Sequence, residues 1–228
     1  MNLKKLEASI GYTFRDPSYL ELALTHSSYA NEHYAGKNRY NERLEFLGDA
    51  VLELCSSEFL YRHLPQETEG VLSKRRASMV CEPALAYCAR EIQLSQYLKL
   101  GKGEEANGGR QRDSILSDAL EAVLGAVYLD GGLEPARAIV FNHIMNDMEK
   151  KTLFYDSKTI LQEMLQKDGV NGISYRLVSE SGPDHDKHFV SEVLYQDQVI
   201  GRGEGHSKKA AEQQAAYEAI LAIKEREA

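Results

Sequence analysis

The spacing of apolar residues changes once along this chain, near residue 150, and that change restricts the folds it can adopt. Before it, apolar residues recur every three or four positions, as in residues 41–64, which is typical of amphipathic helices packed on one another. After it, a helical segment leads into strand-like runs at 173–181, 188–196 and 198–205, and another helical segment closes the chain. The sequence therefore predicts an all-α domain followed by a small α+β domain of order α-β-β-β-α.

The domain limits follow from the same change. We expect residues 1–152 to form the helical domain, residues 153–157 to form a linker, and residues 158–228 to form the α+β domain. Residues 18–30 and 69–94 share the helical spacing, and each is predicted as a helical segment.

Composition and motifs exclude several classes of protein. No run of about 18 apolar residues is present, and the N-terminal residues lack the apolar region of a signal peptide. The cysteines, Cys55, Cys81 and Cys88, match no zinc or disulfide spacing, so we expect buried thiols in a reducing cytoplasm and no membrane partner. Walker A, GxSxG and HExxH motifs are absent, and no organic cofactor is expected. The Gly-rich run at 201–205 is interpreted as a turn between a strand and a helix.

Four acidic residues follow one another on the predicted helix within residues 41–64: Glu42, Glu45, Asp49 and Glu53. At about 100° per residue, they fall within roughly 80° of the helix surface. One explanation is an ordinary solvent-exposed acidic face. However, Glu45–Asp49 and Asp49–Glu53 are like-charge pairs, and each costs an isolated helix about 0.2–0.5 kcal/mol. A divalent cation between them would remove that repulsion, and oxygen-only ligands favour Mg²⁺ or Mn²⁺ over zinc.

A second acidic pair, Asp118 and Glu121, lies on another helix that is otherwise apolar. If the two helices pack side by side, four carboxylates can converge: Glu45, Asp49, Asp118 and Glu121. Such a group around a metal would form a site for phosphoryl transfer, in which the metal activates water and offsets the charge of the transition state.

Several motifs then resemble those of a known family. "NERLEFLGDAVL" (41–52) resembles the signature of ribonuclease III nearly residue for residue. "ALTHSSYANE" (23–32), "EGVLSKRRASMV" (69–80) and the block at 100–132 are similar to the family's other motifs, in the same order. Residues 158–228 resemble a double-stranded RNA-binding domain. The resemblance covers almost the whole chain and implies an all-α endonuclease domain followed by this RNA-binding domain.

The resemblance also implies roles for individual acids. The metal-binding carboxylates would be Glu45, Asp49, Asp118 and Glu121. Catalysis would depend most on Asp49 and Glu121, and the accessory acids Glu42 and Glu69 would line the cleavage valley. Glu53 has no role in that pattern, so we expect it to be solvated.

The same resemblance implies a homodimer with the helix at 41–55 on the two-fold axis. Phe46 would insert into the partner subunit, and its alternative location is the core of its own subunit. The basic residues at 73–78, and also Arg110 and Arg112, either are solvated or contact phosphates.

The last predicted helix begins unusually. Ser207 is a good N-cap, yet Lys208 and Lys209 follow in the first turn, where the helix dipole disfavours cations by about 0.3–1 kcal/mol each. This is either a tolerated surface mismatch or a phosphate-binding helix terminus. The family resemblance implies further contacts with the minor grooves of double-stranded RNA, from Thr159, Gln162, Glu163 and His185.

The net charge of −8 alone argues against a polyanionic partner. Even residues 157–228 carry nine Lys and Arg against twelve Asp and Glu, a net charge of −3. RNA binding must therefore rest on individually placed cations, and we expect it to be sensitive to salt.

The sequence is thus interpreted as a homodimeric, Mg²⁺-dependent endonuclease that hydrolyses double-stranded RNA, with Mn²⁺ as a substitute metal. As in the family it resembles, the products would carry 5′-phosphate and 3′-hydroxyl ends with short 3′ overhangs, and the substrates would be ribosomal and messenger RNA precursors. The alternatives are a non-catalytic double-stranded RNA-binding regulator and a phosphohydrolase of small nucleotides. The carboxylates argue against the former, and the RNA-binding domain argues against the latter.

Overall fold

The structure, a computed structural model, describes residues 3–33, 39–146, 153, 157–166, 172–182, 187–205 and 207–227. The chain divides into two compact units, Met1–Met148 and Glu149–Ala228, and each has its own apolar core. The first unit is helical and the second combines helices with an antiparallel sheet, which confirms the predicted fold class. The limits of the linker at 153–157 stay a prediction.

The first unit is built around a buried central helix. Its helices are α1 (Leu3–Ile10), α2 (Pro17–Ala23), α3 (Ser27–His33), α4 (Glu42–His63), α5 (Glu69–Met79), α6 (Glu82–Glu91), α7 (Lys102–Ala106), α8 (Asp113–Gly131) and α9 (Leu133–Ile139). A π-helical turn, Val140–Ile144, continues α9. Helix α8 is buried along most of its length and contacts α2, α4, α6 and α9, so it organises the core.

Two segments predicted as continuous helices are each divided. Residues 18–30 break between α2 and α3, where Thr25 pairs with Lys99 in an isolated parallel bridge. Residues 69–94 break between α5 and α6. Pro83 lies in the first turn of α6, where its missing N–H costs no hydrogen bond, whereas in a continuous helix that hydrogen bond would be lost.

Helices α4 and α8 cross with their backbones in direct contact. A methyl group added to Gly48 would lie 1.7 Å from the carbonyl oxygen of Glu121, and one added to Gly125 would lie 2.2 Å from that of Leu44. A side chain at either position would force the helices apart, so this approach requires glycine. Because Glu45 and Glu121 lie within about one turn of these glycines, the crossing brings carboxylates of both helices together.

The second unit is a three-stranded antiparallel sheet with helices on it. Its elements are α10 (Ser157–Gln166), β1 (Ile173–Ser181), β2 (His188–Tyr195), β3 (Gln198–Gly205) and α11 (Lys208–Glu227). The strand order is β1-β2-β3, and a turn at Gln196 and Asp197, both with positive φ, joins β2 to β3. Helix α11 packs on β2 and β3, and α10 packs on α11. This order matches the predicted α-β-β-β-α arrangement.

The Gly-rich run at 201–205 is not the turn that the sequence predicted. Gly201, Gly203 and Gly205 all lie within β3. A methyl group on Gly203 would lie 2.2 Å from the backbone nitrogen of Ala215, and one on Gly201 would lie 2.3 Å from its carbonyl oxygen. The glycines therefore let α11 approach the backbone of the strand, and their role is packing.

The cysteines differ in burial. Cys55 and Cys88 are buried, as predicted, whereas Cys81 is half-buried and its thiol donates a hydrogen bond to the carbonyl of Ser78. Burial raises the pKa of the Cys55 thiol. Within the described residues, no helix is both long and apolar enough to cross a membrane.

Candidate active site and nucleic-acid interface

A group of three carboxylates lies where α4 and α8 cross. Glu45 on α4, and Asp118 and Glu121 on α8, each offer an oxygen, and these oxygens lie within 4.8 Å of one another. All three side chains are half-buried. The backbone contact at Gly48 and Gly125 sets the separation of the two helices, so the packing itself holds these carboxylates together.

The charges of this group repel one another. Burial, followed by the charges of Asp49, Asp118 and Glu45, raises the pKa of Glu121 from 4.5 to about 8. Burial and the neighbouring carboxylates also raise the pKa of Glu45, and burial raises the pKa of Asp118. Glu121 therefore keeps its proton near neutral pH unless a cation replaces it.

The donor set fits a hard divalent cation. Carboxylate oxygens are ligands that Mg²⁺ and Mn²⁺ prefer, whereas zinc sites are dominated by histidine and cysteine. A cation bound to Glu45, Asp118 and Glu121 would replace the proton on Glu121 and offset the mutual repulsion of the group. These three residues can therefore form the core of a metal site.

The fourth predicted metal ligand, Asp49, lies beside the group rather than in it. Its side chain is exposed, but its charge raises the pKa of both Glu121 and Glu45, so it is an electrostatic neighbour of the site. Glu42 is exposed in the first turn of α4, and its charge raises the pKa of Glu45 and of Asp118. Both acids therefore lie on the side of the group that faces solvent.

Two further acids contact α5 residues. Glu69, predicted as an accessory acid, is not in the carboxylate group; it begins α5 and accepts a hydrogen bond from the Ser73 hydroxyl at 2.7 Å. Glu53 is ion-paired, with its carboxylate 2.9 Å from Nε of Arg76, and Nη1 of the same arginine donates to the Ser57 hydroxyl at 2.7 Å. The prediction of a merely solvated Glu53 is wrong because α5 supplies it with a partner.

The basic residues ahead of α8 are also held by carboxylates. Arg110 donates from Nε to Glu105 at 2.8 Å, and Arg112 lies 2.8 Å from Glu104. These ion pairs fix the connection between α7 and α8, so a simple solvated surface does not describe these arginines.

His26 is a residue near the group to which no sequence pattern pointed. Its Nδ1 lies 2.8 Å from the Ser28 hydroxyl, and its backbone N–H donates to the carbonyl of Lys99 at 3.1 Å. The nearby His26 side chain counteracts the rise in the pKa of Asp118. Because His26 and Asp118 are far apart in the chain, only tertiary packing reveals this proximity.

Phe46, next to Glu45 on α4, is 80% exposed, so it does not lie in the core of the first unit. Leu54 and Tyr61 are also exposed and share one side of the same helix. A cavity of about 430 Å³ opens beside these residues, and its lining includes Leu54, Tyr61 and Glu69. This side of α4 therefore combines a protruding aromatic ring with a recess.

The second unit presents its predicted RNA-binding residues to solvent. Three of them lie at helical spacing on the exposed face of α10, namely Thr159, Gln162 and Glu163. Lys208 and Lys209 are exposed in the first turn of α11, and the Ser207 hydroxyl caps this helix by accepting from the backbone N–H of Ala210 at 3.1 Å. His185 lies outside the described residues.

Comparison with known families agrees with this architecture. Residues 16–148 match the family described as Ribonuclease-III-like, and residues 157–223 match the one described as Double-stranded RNA binding motif. Together with the carboxylate group, these matches define the class of protein: an endoribonuclease that acts on double-stranded RNA.

Relatives cover nearly the whole chain. Ribonuclease 3 of Caldanaerobacter subterraneus is 54% identical over 223 residues, which is 96% of this chain and 96% of the relative. Ribonuclease 3 of Desulforamulus reducens is 52% identical over 219 residues, which is 95% of this chain and 89% of the relative. The solved nuclease domain of ribonuclease III from Campylobacter jejuni is 44% identical, covering 64% of this chain and 98% of that one, with a TM-score of 0.59. The chain belongs to the ribonuclease III family, which confirms the resemblance, and this family uses a divalent metal.

Proposed function

We propose that this chain is a homodimeric, Mg²⁺-dependent endonuclease that processes ribosomal and messenger RNA precursors in the cytoplasm. The observation that carries the metal site is the group of Glu45, Asp118 and Glu121, whose oxygens lie within 4.8 Å of one another. Family membership supports the substrate class, and the hard oxygen donors support Mg²⁺, with Mn²⁺ as a substitute.

The chemistry divides among the residues of this site. When bound there, Mg²⁺ supplies a Lewis acid that promotes ionisation of water and offsets charge on the phosphate. Glu45, Asp118 and Glu121 would hold the cation once Glu121 has lost its proton, and the exposed Asp49 beside them would be a further ligand. Hydrolysis adds water across the P–O3′ bond. The water oxygen bonds to phosphorus as that bond breaks, and a proton of the water ends on O3′, which leaves a 5′-phosphate on one fragment and a 3′-hydroxyl on the other. Asp49 and Glu121 are the residues on which we expect catalysis to depend most.

The exposed side of α4 supports the homodimer. A two-fold interface is self-complementary, so a protruding Phe46 on each subunit requires a recess on the other. The cavity beside Leu54 and Tyr61 is such a recess, and Glu69 lines it. If Phe46 of the partner subunit enters this cavity, the adjacent Glu45 of the partner subunit comes close to Glu69. That arrangement would give Glu69 its accessory role, and the dimer would then cut both strands and leave short 3′ overhangs.

The second unit would hold the duplex by its shape. Lys208 and Lys209 would bind phosphates at the N-terminus of α11, where free backbone N–H groups and the helix dipole also favour anions. The α10 residues Thr159, Gln162 and Glu163 would contact one minor groove, and His185 would contact the next. Such contacts recognise 2′-hydroxyls and A-form geometry rather than base sequence.

A cleavage assay tests the enzyme assignment. Labelled duplex RNA is incubated with the full chain in Mg²⁺, with the full chain in Ca²⁺, and with Glu121→Gln in Mg²⁺. We expect binding in every case and cleavage only in the first, with phosphatase-sensitive 5′ ends on the products. Glu91→Gln, which removes an exposed carboxylate at the end of α6, is the control and should cleave normally. Cleavage by Glu121→Gln would refute the metal site, and binding without cleavage in Mg²⁺ would refute the enzyme.

The dimer is tested separately by analytical ultracentrifugation. Phe46→Glu places a charge at the centre of the proposed interface, so we expect a monomer with the helical content of the unmodified protein. Gln96→Glu is the control, since it adds the same charge at an exposed position that does not line the cavity. A dimer that persists in Phe46→Glu at equal concentration would contradict the proposed interface.

A further inference from the structure

A carboxylate on β1 lies between two lysines at one end of the sheet. One oxygen of Glu180 accepts a hydrogen bond from Nζ of Lys187 at 2.7 Å, and the other lies 3.9 Å from Nζ of Lys208. Glu180 is directly opposite Phe189 in the β1–β2 register, and Nζ of Lys208 lies 6.0 Å from the centre of that ring. Glu180 therefore joins a cation next to the β1–β2 connection to a cation in the first turn of α11.

The position of this carboxylate matters because Lys208 belongs to the proposed RNA-binding surface. A phosphate that reaches the N-terminus of α11 must compete with Glu180 for the Lys208 ammonium group. The three side chains are partly solvent-exposed, with relative exposures of 36% for Glu180, 36% for Lys187 and 61% for Lys208. Ion pairs with this exposure are weak and readily exchanged, so a phosphate can displace the carboxylate without unfolding the sheet.

We propose that Glu180 is an internal competitor of RNA, a carboxylate that occupies the position of a backbone phosphate between Lys187 and Lys208. The inference rests on the proposed RNA-binding role of Lys208. Glu180 lowers the affinity of this surface for any polyanion that uses the two lysines. Single anions and short RNA segments, which make few phosphate contacts, are then bound too weakly to stay on this surface, and cleaved products dissociate more readily.

Loss of the Glu180 charge should have two measurable effects on RNA binding. Removing the Glu180 charge takes one exposed ion pair away from each of Lys187 and Lys208, so duplex RNA should bind about 3- to 10-fold more tightly. When RNA binds to the unmodified protein, it displaces Glu180 from the lysines, and Glu180 then takes up a cation from solution. This uptake partly offsets the number of cations that the RNA releases. The salt dependence of binding should therefore steepen by up to about one unit of log–log slope in Glu180→Gln.

The experiment measures binding of the full chain to fluorescent duplex RNA of about 20 base pairs, which spans one RNA-binding domain. Anisotropy is recorded in EDTA, to prevent cleavage, across a series of salt concentrations. The variants are Glu180→Gln, Lys208→Ala, the double variant, and Glu218→Gln as matched control. Glu218 is an exposed carboxylate on the same helix as Lys208 and interacts with Gln214, so its loss changes net charge equally but frees no lysine.

The outcomes separate this inference from the proposed function. We expect tighter binding by Glu180→Gln, unchanged binding by Glu218→Gln, and a smaller gain from Glu180→Gln when Lys208 is already alanine. If Lys208→Ala binds as tightly as the unmodified protein, the proposed RNA contact itself fails. If Lys208→Ala binds weakly while Glu180→Gln gains no more than the control, the contact stands and the competitor is refuted. An equal gain with and without Lys208 would also overturn it, because Glu180 would then act by general repulsion.

Discussion

Replacing Glu121 with glutamine should stabilise the metal-free protein and at the same time abolish cleavage. Burial of the unmodified side chain, together with the negative charges of Asp49, Asp118 and Glu45, raises its pKa from 4.5 to about 8. Between these values the native state holds a proton that the unfolded state has lost. The free energy of unfolding of the unmodified protein should therefore fall as pH rises from about 4.5 to about 8. Glutamine carries no charge and removes this dependence.

The magnitude follows from the pKa. At 1.36 kcal/mol per pKa unit, a rise from 4.5 to about 8 corresponds to about 5 kcal/mol for the ionised group. The side chain is only half-buried, so solvent screening reduces the expected gain from Glu121→Gln to about 2 kcal/mol near pH 8. In a domain of this size, that gain raises the midpoint of thermal unfolding by about 4–8 °C.

Thermal unfolding followed by far-ultraviolet circular dichroism in EDTA, across a pH series, measures this effect. The gain should vanish below about pH 4.5, where Glu121 is protonated in both states, and saturating Mg²⁺ should reverse the order by stabilising only the unmodified protein. Glu91→Gln should show no pH-dependent gain. The reasoning fails if Glu121→Gln is no more stable than the unmodified protein near pH 8, or if its advantage grows towards acid pH.

Two glycine contacts and one hydrogen bond can be tested by single substitutions. Gly48→Ala should destabilise the first unit by about 3 kcal/mol or more and raise the Mg²⁺ concentration needed for cleavage, because the methyl group would lie 1.7 Å from a carbonyl oxygen of α8. The control, Gly70→Ala, has open space around it and should be neutral or stabilising by about 1 kcal/mol. Equal effects of the two substitutions on stability would contradict the helix contact. Gly203→Ala should abolish RNA binding by separating α11 from β3, while the unfolding midpoint of the first unit stays unchanged; retained binding would show that the contact is dispensable. Tyr12→Phe should lower the free energy of unfolding by about 1–2 kcal/mol, since its hydroxyl donates to Asp130 at 2.6 Å, and calorimetry that finds no loss would refute that role.

Local periodicity predicted the fold class and the acidic side of each helix, whereas the convergence of the carboxylates was predicted only on the condition that the two helices pack side by side. Acids on one side of a helix are readable from spacing alone, and Glu45, Asp118 and Glu121 do meet. The reason why these carboxylates converge could not be predicted from the sequence. It lies in Gly48 and Gly125, which resemble any other helical glycine until the partner helix is known to touch them.

Interactions between elements account for the remaining differences. Glu53 has an arginine partner that only the packing of α5 against α4 provides. The glycines of β3 face α11, and a Gly-rich strand cannot be told from a Gly-rich turn by composition. Asp49 lies beside the carboxylate group and Glu69 lies outside it, and the roles proposed for them involve the substrate and a second subunit.

Anomalous diffraction from crystals soaked in Mn²⁺ shows directly whether Glu45, Asp118 and Glu121 bind the catalytic metal. We predict an anomalous peak about 2.1 Å from carboxylate oxygens of these three residues, and no such peak in Glu121→Gln crystals. A peak elsewhere in the chain, or none at this site in crystals of protein that cleaves RNA in the same Mn²⁺ solution, would contradict the account.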